Sequence, residues 1–189
     1  MKKFIALIVL STLISSCDDV SKGMDALDAL EESTNQLEVL EALEPVPTEK
    51  FRPLFPEKIN NVPKDFGSDT VTRYAKSVIE GDEPRYEYTM VIQDLANPGM
   101  TAFILEFQGL DALGVNETDK DGNKLVYTKF KGYPRLNSIP MENGVPSIKV
   151  LVENRFILIL NGQWDSTYEQ IDEAINRIDI GLLTSLAQS

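Results

Sequence analysis

Cys17 is the only cysteine in this 189-residue chain, so whatever the sequence folds into has no internal disulfide to hold it together. The residues before it indicate what that cysteine is for. Met1-Lys2-Lys3 leads into an unbroken apolar run, Phe4 to Leu10, and then into Ser11-Thr12-Leu13-Ile14-Ser15-Ser16. A basic start, a short apolar middle and small residues at a cut point are the three parts of a secretory signal. The stretch from Phe4 to Ile14 is well short of the ~20 apolar residues that cross a bilayer as a helix. Residues 1–16 therefore read as a signal peptide, with cleavage between Ser16 and Cys17.

Ile14-Ser15-Ser16-Cys17 also resembles the lipobox of bacterial lipoproteins, with an aliphatic residue, two small residues and then cysteine. The resemblance implies that the Cys17 sulfur carries diacylglycerol and that its new amino terminus is acylated in many bacteria. At ~0.8 kcal/mol per buried CH₂, two or three such chains make an effectively permanent anchor. An ordinary secretory signal that happens to end in cysteine is the alternative. The implied location is the cell envelope, with the domain outside the cytoplasm and held to a membrane through Cys17.

Removal of residues 1–16 leaves 173 residues with a formal charge of −14, enough for one cored domain with an extension. The acidity is uneven. Residues 18–49 hold 10 acids against the single base Lys22, whereas residues 50–189 hold 20 acids against 15 bases. Residues 17–47 thus read as an acidic, partly helical tether without aromatic residues. Met24, Leu27, Leu30, Leu37, Leu40 and Leu43 fall largely at three- and seven-residue spacing, one stripe of a helix from about Asp25 to Leu43. A coiled-coil or partner-binding helix is one reading of that stripe. A marginal amphipathic spacer is the one adopted, because Ser33 and Thr34 interrupt the stripe and short isolated helices are barely stable. Anionic headgroups repel such a segment, so it is expected to hold the domain off the membrane, with Asp18 to Leu43 making no required contact with the domain core.

Pro45, Pro47, Pro53, Pro56 and Pro63 then exclude a long helix or a central strand. The domain is placed at residues 48–189, with Phe51, Leu54, Phe55 and Ile59 the first to need burial. From Arg85 to Gln93, Tyr86, Tyr88, Met90 and Ile92 alternate with Arg85, Glu87, Thr89 and Val91, which predicts a strand. A strand around Thr70 to Ile79 is expected to pair with it across Gly81-Asp82-Glu83-Pro84. Met100, Phe103, Ile104, Phe107 and Leu110 have helical spacing and predict one short helix crossing the sheet.

Four more strands are predicted at Leu125 to Phe130, Tyr133 to Ser138, Ser147 to Val152 and Arg155 to Leu160. Gly132, Asn143-Gly144 and Glu153-Asn154 mark the turns between them. Connections this short imply antiparallel neighbours. Ser166 and Glu169 suggest a capping box, and the helix behind it carries Ile171, Ala174, Ile175 and Ile178, with Leu182, Leu183 and Leu186 continuing the apolar surface. The expected fold class is α+β, an antiparallel meander with one crossing helix and a C-terminal helix packed on one face.

Several segments of this domain share a further resemblance. Thr118-Asp119-Lys120-Asp121-Gly122, Lys131-Gly132-Tyr133-Pro134, Val150 through Phe156 with its Val-x-x-Arg-Phe, and Arg177-Ile178-Asp179 with Leu182 resemble, in this order, an uncharacterised family of bacterial secreted proteins and lipoproteins. The resemblance spans about residues 50–186 and implies no catalytic residue or ligand. Each piece also has a local role as turn, strand start or cap: Gly132 and Pro134 bend the chain, Arg155-Phe156 starts a strand, and Asp179 ends a helix or bonds a backbone N–H.

Chemistry is constrained mainly by what is missing. There is no histidine and the one cysteine is committed, so Ser-His-Asp, Cys-His and His-ligated zinc sites are excluded. No phosphate-binding or dinucleotide-binding glycine motif occurs. The acidic balance without a basic stripe argues against nucleic acid. Glu117, Asp119, Asp121 and Gly122 match half of a calcium loop, but its twelfth position falls on Thr128, so a charged hairpin turn is the reading adopted. Asn116-Glu117-Thr118 spells a glycosylation triplet and is given no role. Carboxylate pairs ~5–9.5 Å apart hydrolyse glycosides, yet no pair is singled out by spacing.

The expectation is a lipid-anchored envelope protein that is not an enzyme, takes no cofactor or metal, and binds an envelope protein. A small-ligand or lipid-binding module and a carboxylate-based hydrolase are the alternatives. Trp164, the only tryptophan, is expected to staple the start of the last helix; an exposed Trp164 would be a binding anchor instead.

Overall fold

The structure is a computed structural model that describes residues 31, 34–76, 85–97, 99–100, 103–104, 107, 118, 122–141, 144–163 and 166–188. Among these residues eight strands form one antiparallel sheet. They are β1 (Lys58–Ile59), β2 (Val62–Gly67), β3 (Val71–Lys76), β4 (Arg85–Asp94), β5 (Asn123–Phe130), β6 (Tyr133–Pro140), β7 (Ser147–Val152) and β8 (Phe156–Asn161). Their order is β1-β2-β3-β4-β8-β7-β6-β5. Two four-stranded meanders therefore run in opposite directions and meet at β4 and β8.

Turn chemistry sets the hairpins. Asn60 and Asn61 take φ of 47° and 65° in the two-residue loop between the paired Ile59 and Val62. Lys131 and Gly132 take 50° and 91° between the paired Phe130 and Tyr133. Two consecutive left-handed residues match the twist of the flanking strands. Pro63 lies in β2, beside the two-residue outer strand β1, where a proline is tolerated.

The alternation expected in β4 is present: Tyr88, Met90 and Ile92 are buried and pack with the C-terminal helices. Those helices are α1 (Tyr168–Asn176) and α2 (Gly181–Ala187). Ile171, Ala174, Ile175, Ile178 and Leu183 bury against Ile148, Val150, Val152, Phe156, Leu158 and Leu160. A 3₁₀ turn, Thr48–Leu54, covers the same face, with the Phe51 ring edge-on to Phe156 at 5.8 Å. Phe51, Leu54, Phe55 and Ile59 are all buried, as the sequence predicts. Each such side chain contributes about 1.5–3 kcal/mol of burial.

The opposite face has its own core. Leu95, Leu136, Leu151 and Ile157 pack with Ile104 and Phe107 from the predicted crossing helix, of which Phe103, Ile104 and Phe107 are described and helical. Leu40 joins them at 3 % exposure, from a helix that includes residues 34–41. The expectation that Asp18 to Leu43 make no required contact with the domain core is corrected at Leu40, which is packed into that core. The stripe that reads as a spacer finds an uncovered apolar face, and burial there outweighs the weak propensity of a short acidic helix. The chain thus passes from one face of the sheet at Leu40, around the sheet end at residues 44–46, to the other face at Phe51.

Three smaller expectations are also corrected. The cap of α1 is Thr167, not Ser166, and its reciprocal partner is Gln170, not Glu169. Ser166 instead donates its hydroxyl to the Glu87 carbonyl of β4, at 3.0 Å, and so is spent on tertiary structure. Arg155 belongs to the turn, and β8 begins at Phe156. Leu182 is 41 % exposed, while Leu183 and the half-buried Leu186 carry the apolar surface of α2. Asp179 does bond a backbone amide, that of Gly181, at 2.8 Å. No helix among the described residues is long and apolar enough to cross a membrane.

Candidate functional site

The strongest polar constellation in the described fold lies where the N-terminal segment rounds the sheet. Asp94, the last residue of β4, has no exposed surface. Its phase explains this: Tyr88, Met90 and Ile92 point inward at every second position, and Asp94 is the next in that series. The carboxylate is fully answered. Arg155 donates from Nε to Oδ1 at 3.2 Å and from Nη2 to Oδ2 at 3.1 Å. The Val46 amide donates to Oδ2 at 2.8 Å and the Ala96 amide to Oδ1 at 3.0 Å. Arg155 Nη2 also donates to the Glu44 carbonyl at 2.8 Å, and the guanidinium lies 5.2 Å from the Phe156 ring centre. One buried ion pair thus clasps residues 44–46 to the turns after β4 and β7. A buried pair this completely hydrogen-bonded holds geometry, since loss of either partner strands a charge in the interior.

A second cluster braces the other meander against α1. Arg135 of β6, buried to 6 % exposure, reaches Asn137 Oδ1 from Nε at 2.6 Å and the Tyr168 hydroxyl from Nη2 at 3.0 Å, and it pairs with Asp172. Asn137 in turn donates to the Val126 carbonyl at 2.9 Å and to Thr128 Oγ1 at 3.1 Å, both on β5. Burial pushes the Tyr168 phenol up, against the pull of the Arg135 charge. Nearby, Tyr133 donates its hydroxyl proton to the Glu153 carboxylate at 2.5 Å, and that bond raises its pKa by holding the proton on the phenol. Lys131 Nζ donates to the Ile178 carbonyl at 3.1 Å. These groups tie β5, β6 and the helices together, with Arg135 buried and Lys131 and Glu153 exposed.

The residues singled out in the sequence fall mostly elsewhere. Ser16 and Cys17 lie outside the described residues, as do Asn116, Glu117, Asp119, Asp121 and Trp164. Thr118 forms an antiparallel bridge with Lys124, and Gly122 takes a φ of 80°, so the chain bends where the half calcium motif ends. Among the described residues no group of three or more His, Cys, Asp or Glu is placed to hold a metal ion. Sequence reasoning missed Asp94 and Arg155 as a pair. The signal available for Asp94 was its phase in the β4 alternation; nothing local pointed from residue 94 to residue 155.

Outward-facing large apolar side chains among the described residues are Val39, Leu43, Met141, Val145 and Leu182. Val39 lies on the helix at residues 34–41 and Leu43 two residues past its end, in a turn closed by i→i−3 bonds from the Ala42 amide to the Val39 carbonyl and from the Leu43 amide to the Leu40 carbonyl. Comparison of the chain with family profiles, with curated proteins and with solved structures finds no match.

Proposed function

We propose that this chain is a lipid-anchored protein of the bacterial cell envelope whose domain binds a protein partner and performs no catalytic step. The lipobox-like Ile14-Ser15-Ser16-Cys17 supports the anchor. The observation that carries the binding role is the clasp. A segment serving only as a spacer has no need of a buried Arg155–Asp94 pair that grips its backbone at Glu44 and Val46. The grip presents the acidic helix through residue 41 in a set orientation on the domain, which suits recognition.

Two measurements test the proposal. Cys17→Ser should leave the uncut precursor or a soluble form, and retention of that variant in the membrane fraction after an alkaline carbonate wash would sink the anchor. Crosslinking of the lipidated protein in cells, followed by mass spectrometry, should give a discrete envelope-protein adduct. Absence of any adduct across several exposed positions would count against partner binding.

A further inference from the structure

We infer that the outward flank of the helix at residues 34–41, together with Leu43, is the partner surface, and that it docks into an apolar groove rimmed by Lys or Arg. The inference rests on the partner-binding reading above and names its surface.

The helix carries more apolar side chains than the sheet consumes. Leu40 is buried among Ile104, Phe107 and Leu151, and Leu37 is half-buried. Val39 at 62 % exposure and Leu43 at 38 % stay on the water side. The turn that carries the row continues through Leu43, whose amide donates to the Leu40 carbonyl at 3.1 Å. An exposed apolar residue on a helix, with a second just past its end, gives a pair of anchors that a groove can read.

Charge decides among the occupants. Between Gly23 and Glu49 the chain holds eight acids and no base. A second copy would set one such segment against another, with like charges opposed. An anionic lipid surface repels it for the same reason. A protein groove with an apolar floor and a basic rim complements both features, because juxtaposed opposite charges steer encounter and suppress wrong partners. Leu40 packs inward among Ile104, Phe107 and Leu151, and the clasp holds the backbone that follows at Glu44 and Val46.

The test places a photoreactive side chain at position 39 of the full-length chain in cells, and separately at positions 141 and 182. The expected result is a protein adduct at position 39, mapped by mass spectrometry to a peptide bearing Lys or Arg. Its yield should fall about tenfold on Leu43→Ser, and by a similar factor on the combined Glu31→Lys and Glu38→Lys changes. All three side chains are exposed, so an unchanged thermal midpoint separates lost docking from lost folding. An adduct that survives charge reversal, or one made with a second copy or with lipid, overturns the inference. Adducts at 141 or 182 and none at 39 overturn this surface while leaving partner binding standing. No adduct at any of the three overturns both.

Discussion

A carboxylate with no exposed surface, at the end of a strand in a domain without disulfides, is the residue whose loss should be felt most. Asp94→Ala leaves the Arg155 guanidinium buried without its counter-charge and orphans the amides of Val46 and Ala96. Breaking a buried pair in this way costs about 3–5 kcal/mol, a large part of the stability of a domain this size. Urea denaturation of the variant should show that loss; a change below about 1 kcal/mol would mean that the clasp is incidental. Replacing both partners, Asp94→Leu with Arg155→Met, should recover part of it, since no charge is then stranded. At this scale the sequence was half legible. Burial of Asp94 follows from its phase after Tyr88, Met90 and Ile92. Its partner lies 61 residues further on, and nothing near Arg155 in the chain marks it as inward.

Elements were the most readable level, and their ends the least. Period-two alternation marks β4, and clustered turn residues mark the meander from β5 to β8, because strand periodicity and left-handed turn residues are set within a few positions. The helix α1 was predicted one residue early at its cap. Serine is the better cap in isolation, but Ser166 is drawn to Glu87 of β4 and leaves the cap to Thr167. Thr167 accepts from the Gln170 amide at 3.3 Å and its own amide donates to Gln170 Oε1 at 2.9 Å. Thr167→Ala should therefore lower stability by about 1 kcal/mol, and Ser166→Ala by a different route, the loss of a strand tie. Glu169 adds a pH dependence: its own backbone N–H, and next the Thr167 hydroxyl, hold its carboxyl below the ordinary value. A group depressed in the folded state contributes stability above its unfolded pKa and loses it as pH falls through the folded one. Unfolding followed across the acid range should show a shallower acid-side fall for Glu169→Gln than for the parent; parallel curves would remove Glu169 from the account.

At the scale of the molecule the N-terminal segment is part of the packed unit at least from Leu40 onward. A chain starting at Thr48 loses Leu40 and Val46 from the two cores and the Glu44 carbonyl from Arg155. Removing one buried leucine side chain alone costs about 2–5 kcal/mol, so the thermal midpoint should fall by at least about 6 °C. An unchanged cooperative transition would restore the spacer reading. By itself the sequence determined the α+β class, the meander of short-linked strands and the apolar faces of the C-terminal helices, because those depend on patterns a few residues long. It also contains one global hint, the unbroken apolar run Phe156 to Leu160, which suits a strand covered on both faces. Only the tertiary structure decided that β8 pairs with β4, that both faces of the sheet are covered, and that Asp94 meets Arg155 beneath the backbone of Glu44 and Val46. Those pairings join residues 48 to 111 positions apart, and such contacts are selected by how much apolar surface and buried charge the whole chain can satisfy at once, a quantity that no short window of sequence contains.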